Sequence, residues 1–167
     1  RSRLDLEWGD VSWEDAIGQV CAARKERRWP TGRKAGYHIA SSWYALGEVV
    51  CRIDGRSYDQ YVREEIFLPL GMSDCWLSMS EDRYRDYGAR MASVYTTEGP
   101  SAVELIDRNG ARVAARCVPG ASGRGPARQL VRLYEALLAG GEINGRRVLS
   151  PQAVEALTSR QRTGLYD

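Results

Sequence analysis

The chain contains one histidine, His38, one phenylalanine, and only two lysines, Lys25 and Lys34, among its 167 residues. The four cysteines, Cys21, Cys51, Cys75 and Cys117, are widely scattered and form no Cys-x-x-Cys pair. With one imidazole and no clustered thiols there is no zinc-type spacing, and neither a metal nor another cofactor is expected. The cysteines are read as free thiols behaving as small apolar groups, which suits a reducing compartment. No apolar run approaches the about 18 residues of a membrane-crossing helix. The opening Arg1-Ser2-Arg3-Leu4-Asp5 leads into no apolar signal core. The expectation is a soluble, cytoplasmic chain with no membrane partner. Charge of one sign is also missing: 24 basic against 22 acidic residues leave +2, which argues against an electrostatic nucleic-acid binder. The basic cluster Arg24, Lys25, Arg27 and Arg28 is diluted by Glu26 and reads as solvated surface. No serine is followed three residues later by lysine, and there is no Gly-x-Ser-x-Gly elbow, so neither nucleophile motif lies in these residues. A triad through His38 has no nominated serine.

What is present is helical periodicity. At 43% hydrophobic the chain can bury an ordinary core. Ser12 and Asp15 form a capping pattern for a helix over about residues 12–24, with Trp13, Ala16, Ile17, Val20 and Cys21 on one stripe. Trp29-Pro30-Thr31-Gly32 breaks it. A second helix spans about 40–54, with Trp43, Leu46, Gly47, Val50 and Ile53 as its buried face and Glu48 and Arg52 paired opposite. Gly55 stops it. Ser57 and Gln60 cap a third helix that buries Tyr58, Tyr61, Val62 and Ile66 and ends at Pro69 and Gly71. The pairs Glu64-Glu65 and Glu81-Asp82 read as solvated charge.

Residues 103–106 and 111–118 read as short strands joined into a hairpin at Asn109-Gly110. Residues 119–125 read as a flexible glycine-containing loop, not a phosphate loop, since no Gly-Lys-Ser or Gly-Lys-Thr follows. Pro126 opens a helix whose stripe is Leu130, Leu133, Tyr134, Leu137 and Leu138. A tight turn at 143–146 and a last helix, capped by Ser150 with Pro151 at its first position, complete the chain. The whole of 1–167 is read as one helical subdomain, or a fragment of a larger domain.

Two blocks carry more than periodicity. The first runs Gly36-Tyr37-His38-Ile39 through Leu46-Gly47-Glu48-Val49-Val50, then Asp54-Gly55-Arg56-Ser57, then Phe67-Leu68-Pro69-Leu70-Gly71-Met72. The second runs Gly125-Pro126-Ala127-Arg128-Gln129-Leu130 through Ala139-Gly140-Gly141 to Leu149-Ser150-Pro151. Together they resemble the middle, mainly helical portion of the serine β-lactamase-like hydrolases, the family of class C β-lactamases, penicillin-binding proteins, esterases and transacylases. That resemblance implies an α+β family fold of β-lactamase/transpeptidase type, of which this chain supplies the mostly α subdomain with a small β-hairpin. It implies an acyl-enzyme mechanism on a small ester, amide or β-lactam substrate, with the nucleophilic serine and its lysine upstream and a third, strand-borne motif downstream.

Tyr37 is implied as the catalytic tyrosine, and His38 as a substrate-binding residue on the rim. A phenol titrates at about 10 and is a poor base unless a neighbouring cation stabilises its phenolate; the absent lysine would be that cation. The family pattern Tyr-x-Asn has Ile39 at its third position, which points toward the esterase-like and transacylase-like branch. The expected partners are the remainder of the same protein or a second copy. The competing reading is a non-catalytic helical binding module of the same fold.

Overall fold

Ser12 sets the first helix. Its Oγ accepts the Asp15 N–H at 3.1 Å and donates to Asp15 Oδ2 at 2.9 Å, so an orphan amide of the first turn is satisfied. The structure, a computed structural model, describes residues 11–24, 36–38, 40–97, 99, 101–105 and 109–161. The break at 29–32, the basic cluster beyond Arg24, and Ile39 lie outside them.

Helix α1 (Trp13–Ala22) packs on α2 (Ser41–Asp54), and Ala16 and Tyr44, 0% and 5% exposed, form the centre of this core. Trp13 is the main tie between them. Its ring meets Tyr44 edge-on at 5.2 Å and stacks on Tyr58 at 6.2 Å, both ordinary spacings for aromatic pairs. The Trp13 Nε1–H donates to Glu48 Oε2 at 2.7 Å. Arg52 holds the other Glu48 oxygen at 2.8 Å. Gly55 closes α2 as expected.

Helix α3 (Tyr58–Val62) runs without a break into a π-helical turn, Arg63–Phe67. The Leu68 N–H reaches the Arg63 carbonyl at 2.9 Å. The Met72 N–H reaches the Phe67 carbonyl at 2.7 Å. Both bonds run five residues back, the π-helical spacing. A second core forms where this segment ends: Leu70, Met72, Cys75 and Ala136, with Ile66, Phe67, Leu133, Ile143 and Val148 against it. The remaining elements are α4 (Glu81–Tyr87), a 3-10 turn (Gly88–Arg90), β1 (Tyr95–Thr96), β2 (Val103–Glu104), α5 (Ala111–Ala114), α6 (Ala127–Leu138), β3 (Glu142–Ile143), β4 (Arg146–Arg147) and α7 (Pro151–Thr158). Ser150 caps α7, accepting the Ala153 N–H at 3.1 Å.

Several expectations are corrected. Asn109-Gly110 is not a hairpin turn: β2 pairs antiparallel with the earlier β1, and residues 111–114 are helical. The Asn109 side chain is drawn to the main chain of Val94, whose N–H it accepts at 2.9 Å and whose carbonyl it donates to at 3.2 Å. Gly110, at φ 96°, then turns the chain into α5 through a conformation that side chains rarely adopt. The two-residue hairpin lies instead at Asn144-Gly145, between β3 and β4. Both residues are at positive φ, 51° and 74°, as a turn matching strand twist requires.

Ser57 stands at the start of α3 but makes no capping bond, and Gln60 bonds Glu64 instead. The 119–125 loop is tied down rather than loose. Ser122 is buried, its Oγ accepts the Val118 N–H at 2.9 Å, and Arg124 pairs its backbone with Trp76 at 2.8 Å in both directions. The apolar stripes of α2 and α6 also differ from expectation. The core side of α2 is Tyr44 and Gly47, while Leu46, Val49 and Ile53 are exposed. The core side of α6 is Gln129 and Ala136, with Leu138 90% exposed. Periodicity found the stripes but could not tell which edge of each meets the rest of this chain.

Candidate functional site

Tyr37 and His38 lie just ahead of α2. The Tyr37 ring is 70% exposed, and His38, also exposed, has its Nδ1 3.3 Å from Ser41 Oγ. Ser41 opens α2, so the imidazole is tied to the helix start. Behind it, the Trp13–Glu48–Arg52 bonds and the Trp13–Tyr44 contact hold α2 against α1. The two residues singled out from the sequence therefore sit together on a braced helix end, with both side chains open to solvent. No group of three or more metal-ligating side chains occurs among the described residues. No described helix is long and apolar enough to cross a membrane.

A polar network follows the Pro-Leu-Gly-Met turn. Tyr87 donates its hydroxyl to Asp74 Oδ1 at 2.8 Å and accepts from Trp76 Nε1 at 2.9 Å. Gln129, buried on α6, donates Nε2–H to Asp74 Oδ2 at 3.0 Å and accepts the Asp74 N–H at 2.8 Å. Arginines grip the same segment by its carbonyls. Arg63 donates to the Cys75 carbonyl at 3.0 Å and to the Ser73 carbonyl at 3.2 Å. Its guanidinium also lies 3.4 Å over the Trp76 ring, a cation on an aromatic face. Arg132 donates to the Gly71 carbonyl at 2.8 Å.

The Tyr87 hydroxyl, and after it the Gln129 amide, holds the Asp74 carboxyl below the usual carboxylate range. A folded value below the unfolded one means that the ionised network stabilises the fold at neutral pH and loses that contribution as pH falls through the folded value. Asp74→Asn is therefore expected to flatten the fall in melting temperature between about pH 7 and about pH 3. A variant with the wild-type acid profile would remove Asp74 from the account. Sequence reading missed this network, because it joins residues 55 apart and Asp74 belongs to neither of the two blocks.

The cysteines are free, as expected, with Cys75 buried and Cys21 exposed. Burial, with Asp59 and Cys51 nearby, pushes the Cys117 thiol up to about 12, so it is inert as a nucleophile at neutral pH.

The Beta-lactamase family model matches residues 2–167, and the chain belongs to that family. Its fold is that of the β-lactamase/transpeptidase-like proteins, here mostly helical with small antiparallel strand pairs. A penicillin-binding protein homolog from Caulobacter crescentus is 24% identical with a TM-score of 0.71, covering 98% of this chain and 46% of its own. Simvastatin synthase (LovD) from Aspergillus terreus is 21% identical with a TM-score of 0.59, covering 75% of this chain and 30% of its own. The D-amino acid amidase from Ochrobactrum anthropi SV3 is 17% identical with a TM-score of 0.55, covering 87% and 38%. The chain thus spans less than half the length of each of these structures. No curated protein matches it.

Proposed function

We propose that the chain is the helical part of a serine hydrolase or acyltransferase that works through an acyl-enzyme, with the nucleophilic serine and its lysine outside these residues. In that reaction the serine hydroxyl attacks an ester, amide or β-lactam carbonyl, and water or a second acceptor resolves the acyl-enzyme. Tyr37, acting with the lysine, takes the serine proton and returns it to the leaving group. His38 borders the substrate. The observation that carries this reading is the exposed Tyr37 phenol just ahead of a braced helix, in a chain of the Beta-lactamase family. A D-amino acid amidase among the similar folds, an enzyme named for acting on amides, supports the same class of chemistry.

The exposed Leu46, Val49 and Ile53 of α2 suit a surface covered by the remainder of the same protein or by a second copy. That same surface is what favours the second reading, a non-catalytic helical module whose apolar faces bind a partner. The discriminating test uses the full-length protein. A fluorophosphonate probe or a penicillin probe is expected to label one serine in a Ser-x-x-Lys sequence preceding residue 1. If that motif is present and neither probe reacts, the enzyme reading fails; if the motif is missing, the module reading takes its place.

A further inference from the structure

A cavity of about 650 Å³ lies between α4, the stretch leading to β1, and the loop that enters α6. Sites that enclose small molecules run to about 300–1,000 Å³, so the volume suits a compact ligand. Its wall has two chemical parts: the rings of Trp76, Tyr84 and Tyr87, and the guanidiniums of Arg90, Arg124 and Arg128. Neither Tyr37 nor His38 lines it.

Among the described residues this wall carries three guanidiniums against one carboxylate, Asp74, whose ionised form Arg90 and Arg128 favour. Both Asp74 oxygens already accept bonds, from Tyr87 at 2.8 Å and Gln129 at 3.0 Å. No described carboxylate forms an ion pair with Arg90, Arg124 or Arg128. Arg124 is part-buried and donates Nη1–H to the Ser122 carbonyl at 2.9 Å, which leaves other N–H groups of its fork for a ligand. Burial pushes its guanidinium below the usual range, with Tyr84 acting the other way, as for a cation partly withdrawn from water. Arg90 packs over the Tyr87 ring at 4.6 Å, which places a cation against the aromatic part of the wall.

We infer that this cavity binds a small carboxylate with an aromatic or aliphatic body, the guanidiniums taking the carboxylate and the rings taking the body. Guanidinium forks pair with carboxylate and phosphate alike. The ring-lined part of the wall favours the ligand that brings apolar surface, and that selects the carboxylate. The inference is independent of acyl transfer, since it uses neither of the residues assigned to that reaction.

The test is calorimetric titration of the full-length protein with phenylacetate, with its neutral counterpart phenylacetamide, and with inorganic phosphate. Phenylacetate is expected to bind saturably, with phenylacetamide and phosphate each about tenfold weaker or more, since one charge-assisted contact or one buried ring is worth at least that. Arg124→Gln is expected to weaken phenylacetate by about tenfold or more. Because Arg124 also meets the loop backbone, the double variant Arg90→Gln/Arg128→Gln, which alters two exposed side chains, carries the decision if Arg124→Gln does not fold. Undiminished phenylacetate affinity in the double variant, equal affinity for phenylacetamide, phosphate binding as tightly as phenylacetate, or no binding of phenylacetate would each overturn the inference.

Discussion

Replacing Tyr37 by phenylalanine in the full-length protein is expected to slow acylation by a reactive probe by about 10²–10⁴-fold, the usual contribution of a positioned acid–base group. Only the phenolic oxygen is removed. A melting temperature measured on the same variant tells a lost rate from unfolding. His38→Gln supplies the contrast, since it should act on substrate affinity and spare the rate of acylation. Wild-type acylation in Tyr37→Phe would remove the tyrosine from the mechanism and with it the main support for an enzyme.

The largest stability effect is expected at Met72. Among the described residues it is the largest side chain that is completely buried, at 0% exposure, and it joins the π-helical turn to α6 through the Leu70, Cys75 and Ala136 cluster. Met72→Ala should lower unfolding free energy by about 2–5 kcal/mol, from lost transfer energy and the cavity left behind. Met72→Leu, which nearly conserves volume, should cost less than about 1.5 kcal/mol. Urea denaturation with unchanged slope distinguishes these outcomes from a change in the unfolded state. Equal costs for the two variants would mean that the site collapses around the smaller residue and that packing there is loose.

The elements that local chemistry determines were legible in the sequence. Ser12 and Ser150 cap their helices, Gly55 ends α2, and proline stands at the first turn of α7, because each of these signals is settled within a few residues. What sequence could not supply is competition between distant groups. Asn109-Gly110 has the composition of a hairpin turn, yet the asparagine amide finds the Val94 main chain and the turn chemistry is used elsewhere. The buried sides of α2 and α6 depend on which neighbours arrive, so Leu46 and Leu138 looked like core and are exposed. Tyr37 and His38 are singled out only by the block in which they stand, Gly36-Tyr37-His38-Ile39. The arginines of the cavity wall were not legible, since Arg90 and Arg124 come to one cavity only through tertiary folding.

Arg63 holds Ser73 only by its main-chain oxygen. A bond of that kind is blind to what Ser73 carries, so this exposed position is free to drift over evolutionary time without loosening the bend. The tolerance is local. At Gly71, whose carbonyl Arg132 holds, the Arg132 Nη1 occupies the place where a side chain would begin. Lysine cannot reproduce the forked reach by which two nitrogens of Arg63 hold two carbonyls, so variation should collect at Ser73 and spare Gly71 and the two arginines.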